Sequence, residues 1–170
     1  MAYQNLQEYL AALDASGKLQ HITQRVDPAW EVGAITREVF ARYGWDERPA
    51  LCFEQVGDSE FPLVVGAIGG SPAIYALAMG TTQDQIPALW SKAQSEPIAP
   101  VQVATGACKE VVCRDSEVDV TILPNSVWTP DLDPGPFITA GLVVTRDPET
   151  GARNVGTYRL QVKGPRQLGV

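Results

Sequence analysis

The stretch FITAGLVVTRDPETGARNVGTYRLQV, residues 137–162, carries the clearest structural pattern of this chain. Two apolar, β-rich runs flank a polar segment that holds a proline and a glycine where a turn requires them, which predicts a β-hairpin with a long loop. The second arm carries an amide, two hydroxyls and a guanidinium close together: Asn154, Thr157, Tyr158 and Arg159. Such a set suits an anionic, oxygen-rich ligand or a metal–phosphate pair.

The N-terminal part of the chain mixes helical and strand patterns. Apolar residues at helical spacing, with a capping residue or a terminal glycine, predict helices, and short β-rich runs between turn residues predict strands. The predicted helices are 5–16, 30–43, 73–79 and one from 82 through 93, and the predicted strands are 18–23, 50–53 and 61–67.

Residues 95–101 contain two prolines and no helical period, so they predict a linker after an N-terminal α/β domain. Beyond this linker the pattern predicts strands only, at Val111-Val112 and over 118–123, before an irregular proline-rich loop. A turn over 163–166 and a new strand are expected after the hairpin.

Composition excludes several classes of protein. A net charge of −7 and a pI near 4.6 argue against non-specific nucleic-acid binding. The apolar runs are too short to span a bilayer, and we see no N-terminal leader, which predicts a cytoplasmic protein. The three cysteines, Cys52, Cys108 and Cys113, form no C-x-x-C motif and predict reduced thiols that are buried or half-buried.

Three motifs around the hairpin resemble the UbiD-type decarboxylases, the non-oxidative carboxy-lyases that use prenylated FMN. They are D-P-G-P-F-I-T at 133–139, D-P-E-T-G at 147–151 and N-V-G-T-Y-R at 154–159. Further similarity lies, in family order, in E-V-G-A-I-T at 31–36, E-P-I-A-P-V at 96–101 and V-D-V at 118–120. The resemblance spans essentially the whole chain but only the front third or so of a family enzyme.

The resemblance implies an α+β fold: an N-terminal α/β domain over 1–100, then the first strands of a flavin-binding split β-barrel over 101–170. It implies that Asn154 is a metal ligand and that Arg159 contacts the cofactor and is catalytic within a Glu-Arg-Glu network. Thr157 and Tyr158 would lie along the cofactor, mainly through backbone groups. The implied cofactors are prenylated FMN, Mn²⁺ and K⁺.

The implied reaction is reversible decarboxylation of a small aromatic or α,β-unsaturated carboxylic acid by a homo-oligomer. In the family, a further metal ligand and the acid–base carboxylates follow later in the chain. We therefore expect residues 1–170 to be an incomplete part of a longer enzyme, inactive without the C-terminal remainder.

Two other functions stay open at the level of sequence. The chain could be a non-catalytic scaffolding or binding subunit that completes its site with another polypeptide. It could also be a small FMN-dependent split-barrel protein, although 101–170 is short for a complete barrel.

The spacing of Asn154 and Arg159 raises a geometric question. Residues five apart in a regular strand face opposite sides. For the two side chains to converge on one ligand, we expect either a bulge at Gly156 or a position for Asn154 in the loop.

Overall fold

In the computed structural model, which describes residues 3–170, the first apolar stripe forms helix α1, Leu6–Ala15. Asn5 begins this helix, because its side-chain oxygen accepts a hydrogen bond from the Glu8 backbone N–H at 2.8 Å. Gly17 ends it in the left-handed conformation, at φ +67°. The predicted first helix is confirmed.

The first half of the described chain mixes helices with the strands of one sheet, and a second three-stranded sheet follows in the second half. The N-terminal sheet has the order β1-β2-β3, and the C-terminal sheet has the order β4-β5-β6. This mixed architecture confirms the α+β fold class. The remaining elements are β1 Leu19–Ile22, α2 Glu31–Arg42, β2 Ala50–Phe53, β3 Leu63–Val65, α3 Pro72–Met79, α4 Ile86–Ser95, β4 Phe137–Arg146, β5 Arg153–Gly164 and β6 Gln167–Gly169.

The chain forms two compact units, each built from three separate segments. The first comprises residues up to Ile22, Glu38–Cys52 and Val64–Glu117, and the second comprises Thr23–Arg37, Phe53–Leu63 and Val118–Val170. Helix α2 contributes to both units, since the division falls after Arg37.

The core of the first unit is a cluster of buried side chains: Tyr9, Leu13, Ala50 and Ile74. The Tyr9 hydroxyl donates to the Ala67 carbonyl, so its polar atom is satisfied inside the core. Burial raises the pKa of Tyr9 to about 12, which keeps the hydroxyl protonated as a donor.

The hairpin predicted for 137–162 is confirmed. β4 and β5 pair antiparallel, from Phe137 opposite Gln161 to Arg146 opposite Arg153. Asp147 shapes the loop, because its carboxylate accepts from the backbone N–H groups of Glu149 and Thr150 at 2.8 Å each. The turn and new strand expected after the hairpin are also present, as β6.

The strands predicted at 111–112 and 118–123 are wrong. The structure has short 3₁₀ turns there, at Ala107–Lys109, Asp115–Glu117 and Val120–Ile122. Asp119 caps the last of these turns, accepting a hydrogen bond from the Thr121 backbone N–H at 2.8 Å. Local side-chain capping of this kind competes with strand pairing.

The prediction for the cysteines is correct for one of the three. Cys52 is buried, whereas Cys108 and Cys113 are exposed in the irregular segment between α4 and β4. Within residues 3–170 no helix is both long enough and apolar enough to cross a bilayer.

Candidate functional site

Strand β5 carries all four predicted site residues. Its ladder with β4 is unbroken from Arg153 to Tyr158, with Asn154 opposite Thr145. By strand alternation, Asn154 therefore lies on one face of the hairpin and Arg159 on the other. Asn154 is in the strand, not in the loop as one alternative required.

The bulge considered at Gly156 is absent, and the hairpin has a different bulge, in β4. The register shifts between Ile138 and Gly141 of β4, so that two residues of β4, Thr139 and Ala140, oppose Arg159 alone. The extra residue is in β4, and β5 keeps a continuous register from Arg153 to Tyr158. Consequently the structure does not bring Asn154 and Arg159 to one face.

The face that holds Asn154 also holds Gly156 and Tyr158. A side chain at Gly156 would collide with the Tyr158 ring, which lies across this position. In this rotamer the ring occupies the space that a side chain at 156 would take. Asn154 is exposed, and its side-chain amide makes no hydrogen bond within residues 3–170. The side-chain oxygen is therefore accessible to a ligand.

On the opposite face, Arg159 is held by two contacts. Its Nη2 donates to Oδ1 of Asp133 at 2.9 Å, and its Cζ lies 4.0 Å from the centre of the Phe137 ring. A guanidinium stacked on a ring and bonded at its edge has a defined plane and direction. Half of the Arg159 side chain remains exposed, so its other N–H donors can reach a ligand.

Asp133 is itself fixed in place by its loop. Its Oδ2 accepts from the backbone N–H groups of Trp128 and Thr129, at 3.2 and 2.9 Å. The Arg159 guanidinium, followed by the Thr129 N–H, lowers the pKa of the Asp133 carboxyl below its ordinary value of 3.8. The carboxylate is therefore ionised at neutral pH.

Helix α2 holds the same loop from its other side. Arg37 Nη1 donates to the Trp128 carbonyl at 3.0 Å, and the Val127 N–H donates to the Pro28 carbonyl at 2.9 Å. Gly33 packs directly against the loop: an added Cβ would lie 2.5 Å from the Trp128 carbonyl oxygen. A series of contacts thus runs from α2 through the loop and Asp133 to Arg159.

This packing predicts that Gly33→Ala destabilises the protein by about 1–3 kcal/mol, although alanine is the better helix former. The cause is the clash with a backbone carbonyl, which cannot rotate away as a flexible side chain can. Gly69→Ala is the matched control, because an added Cβ there has nothing within 4 Å. Chemical denaturation of both variants measures the difference, and equal midpoints would contradict the close packing of α2.

Sequence reasoning did not identify Asp133 and Phe137 as the partners of Arg159. Both belong to the D-P-G-P-F-I-T motif, which supported the family resemblance, and Asp133 was otherwise weighed only with Asp131 as a carboxylate pair or a solvated loop residue. Their contacts with Arg159 join residues 26 and 22 positions apart, which no local pattern predicts. The available signal was the motif itself, which places an acidic and an aromatic residue beside the hairpin, where they could contact Arg159.

Two other kinds of feature could form a site: a cavity or a group of metal-binding side chains. A cavity of about 260 Å³ in the second unit is lined by Val56, Ile122 and Val162 among others, and includes none of the four predicted residues. Its polar groups are already engaged; for example, Ser59 Oγ donates to the Ile122 carbonyl at 2.8 Å. Across residues 3–170, no three His, Cys, Asp or Glu side chains are grouped to hold a metal ion.

Two models of one protein family match the chain in succession. The N-terminal domain of 3-octaprenyl-4-hydroxybenzoate carboxy-lyase, UbiD, matches residues 10–93. The Rift-related domain of the same carboxy-lyase matches residues 99–170. Together the two matches account for most of the chain.

Solved structures of UbiD-class enzymes share this fold. An evolved dimeric form of HmfF from Pelotomaculum thermopropionicum, in complex with prFMN, is 32% identical with a TM-score of 0.87, over 98% of this chain and 38% of that one. Vanillic acid decarboxylase from Sedimentibacter hydroxybenzoicus, in open form, is 28% identical with a TM-score of 0.86, over 99% and 38%. Apo 3,4-dihydroxybenzoic acid decarboxylase from Klebsiella pneumoniae is 28% identical with a TM-score of 0.82, over 96% and 36%.

The chain spans little more than a third of the length of these solved relatives. Within that span, the two family models match residues 10–93 and 99–170, and the solved folds superpose on nearly the whole chain. This chain therefore belongs to the UbiD family of carboxy-lyases.

Proposed function

We propose that this chain supplies the metal- and flavin-binding hairpin of an enzyme that reversibly decarboxylates an aromatic or α,β-unsaturated carboxylic acid. The observation that carries the proposal is the held guanidinium of Arg159, on the N-V-G-T-Y-R strand of a UbiD-family chain. A planar fork of donors in a fixed direction suits a carboxylate or an electron-rich ring system. When bound, prenylated FMN would supply the electron sink that lets CO₂ leave.

Arg159 would act on the cofactor and on the reacting carboxylate group. Its contact with Asp133 leaves further N–H donors on the exposed side, where they can hold a carboxylate in a bidentate geometry. The same positive charge would keep a neighbouring glutamate ionised, in the network that the family resemblance implies. Arg159 is thus proposed as both cofactor-binding and catalytic.

Asn154 would act as a metal ligand. Hard divalent cations such as Mn²⁺ take oxygen ligands, and the accessible amide oxygen of Asn154 has the right chemistry. The described residues offer this one donor without a surrounding acidic cluster. A complete shell, and any K⁺ site, would therefore draw its other ligands from beyond these residues.

Among residues 3–170, one edge of β5 is unpaired before Gln161, and a ligand lying along that edge could contact residues on both faces. β4 pairs with one edge of β5, and β6 pairs with the other edge only from Gln161 onward. Asn154 and Arg159 are about 17 Å apart along the strand, at about 3.3 Å per residue. An elongated phosphate-bearing ligand along this edge would meet the backbone of Thr157 and Tyr158 between the two side chains.

We propose the same two domains that the sequence predicts. Residues 1–100 would form the N-terminal α/β domain, and 101–170 would begin a prenylated-FMN-binding split-barrel domain. The homo-oligomer, the cytoplasmic location and the dependence on a C-terminal remainder stay predictions.

The direct test is CO₂ release by the complete gene product, matured with prenylated FMN and supplied with Mn²⁺ and K⁺. Phenolic, heteroaromatic and acrylic acids form the substrate panel, and exchange with ¹³C-bicarbonate detects the reverse reaction. We expect release and exchange with at least one class of acid. Absence of both with all three classes, in flavin-loaded protein, would overturn the proposal.

A scaffolding subunit is the second candidate, because three apolar side chains are exposed on the face of the hairpin that also carries Arg159. Leu142, Val144 and Val155 share this face and are 70%, 64% and 59% exposed. Exposed apolar clusters on a sheet often contact another chain. A complete gene product that binds no flavin but forms a stable complex with a second polypeptide would favour this alternative.

A further inference from the structure

We propose that Asp133 is a positioning residue for Arg159: it sets the direction of the guanidinium before any ligand binds. This inference rests on the proposed role of Arg159. It adds a residue outside the N-V-G-T-Y-R strand to the machinery, and it assigns a purpose to the loop that precedes β4.

The two oxygens of Asp133 have separate partners. Oδ2 accepts from the backbone of Trp128 and Thr129, and Oδ1 accepts from Arg159. The Asp133 side chain is only 11% exposed, whereas that of Arg159 is 50% exposed. The carboxylate is thus the fixed member of the pair, and the long arginine side chain takes its orientation from it.

Phe137 adds an independent constraint. The ring lies 4.0 Å from Arg159 Cζ, so it restrains the plane of the guanidinium, while Asp133 restrains rotation within that plane. Because both restraints come from residues of the chain itself, less side-chain freedom remains to be lost when a ligand binds. Preorganised charge of this kind is most effective for stabilising a transition state.

The contacts also separate this role from a purely structural one. In Asp133→Asn, the amide oxygen can still accept from Trp128 and Thr129, which preserves the loop. The amide nitrogen then faces Arg159, and two donors cannot bond to each other. This substitution therefore breaks the contact with Arg159 selectively.

The experiment compares Asp133→Asn with Asp131→Asn in the complete gene product. Asp131 is exposed on the same loop at φ +68°, a conformation that asparagine tolerates, so the control makes the same change of charge. For Asp133→Asn we expect kcat to fall about 30-fold, with less effect on KM. Thermal midpoints of the two variants should agree within about 2 °C.

A second readout does not depend on turnover. Fluorescence titration with FMN should give a Kd about 10-fold higher for Asp133→Asn than for Asp131→Asn. Without Asp133 the Arg159 side chain loses conformational freedom when FMN binds, and this loss weakens the binding. Asp133→Glu, which keeps the charge, should recover part of both losses.

A double-mutant cycle with Arg159→Lys decides whether Asp133 acts through Arg159. If it does, the kcat of the double mutant should be less than about 3-fold below that of Arg159→Lys alone. Two results would overturn the inference while leaving the proposed function intact. In the first, the kcat losses of Asp133→Asn and Arg159→Lys multiply fully in the double mutant. In the second, Asp133→Asn behaves like Asp131→Asn. An Arg159→Lys variant with normal turnover would instead contradict the proposed function.

Discussion

Replacing Arg159 by lysine should lower the rate of CO₂ release by at least about 100-fold, the cost of losing a preorganised donor at a reaction centre. Lysine keeps the positive charge but replaces a planar fork by a single ammonium on a flexible stem. It cannot stack flat on Phe137 while bonding to Asp133, so both restraints on direction are lost. Single-turnover release of CO₂ by the flavin-loaded protein measures this effect without interference from product dissociation.

The matched control is Arg153→Lys. Arg153 is exposed at the opposite end of the same strand, where it pairs with Arg146 across the hairpin. This control carries the same chemical change without the Asp133 and Phe137 contacts. Equal rates for the two variants would show that the geometry of Arg159 has no part in the reaction.

The largest expected effect on stability is that of Leu13→Ala, which should lower the free energy of unfolding by about 2–5 kcal/mol. Leu13 is fully buried in the cluster with Tyr9, Ala50 and Ile74, so truncation leaves a cavity in the core of the first unit. Urea denaturation followed by circular dichroism measures the change.

Leu6→Ala provides the comparison on the same helix. Leu6 is 58% exposed, and its truncation removes little buried surface, so the free energy of unfolding should fall by no more than about 0.5 kcal/mol. Similar losses for the two variants would contradict the core as described.

Local patterns predicted the elements that local interactions stabilise. The hairpin of residues 137–162 and helix α1 both follow from apolar period and turn or cap residues near in sequence. The valines at 111 and 112 have strand propensity, but they are exposed and no strand of residues 3–170 pairs with them. Without a ladder partner, strand propensity alone does not form a strand.

The candidate site was predicted in part. The four residues of β5 followed from the resemblance, whereas the support for Arg159 depends on distant packing. Arg37 and Trp128 are 91 positions apart, and Asp133 and Arg159 are 26 apart. The bulge at Thr139–Ala140 was not predicted, and the one considered at Gly156 is absent, because glycine is only one of the ways in which a strand accommodates an extra residue.

If the hairpin holds a flavin and a metal as proposed, native mass spectrometry of the purified complete gene product will detect both groups. We expect one prenylated flavin and one divalent metal ion for each chain. Asn154→Ala should lose most of the metal, whereas Thr145→Ala, opposite it in the ladder, should retain both groups. Wild-type protein that carries neither group after maturation with prenylated FMN and Mn²⁺, or an Asn154→Ala variant with undiminished metal, would contradict the account.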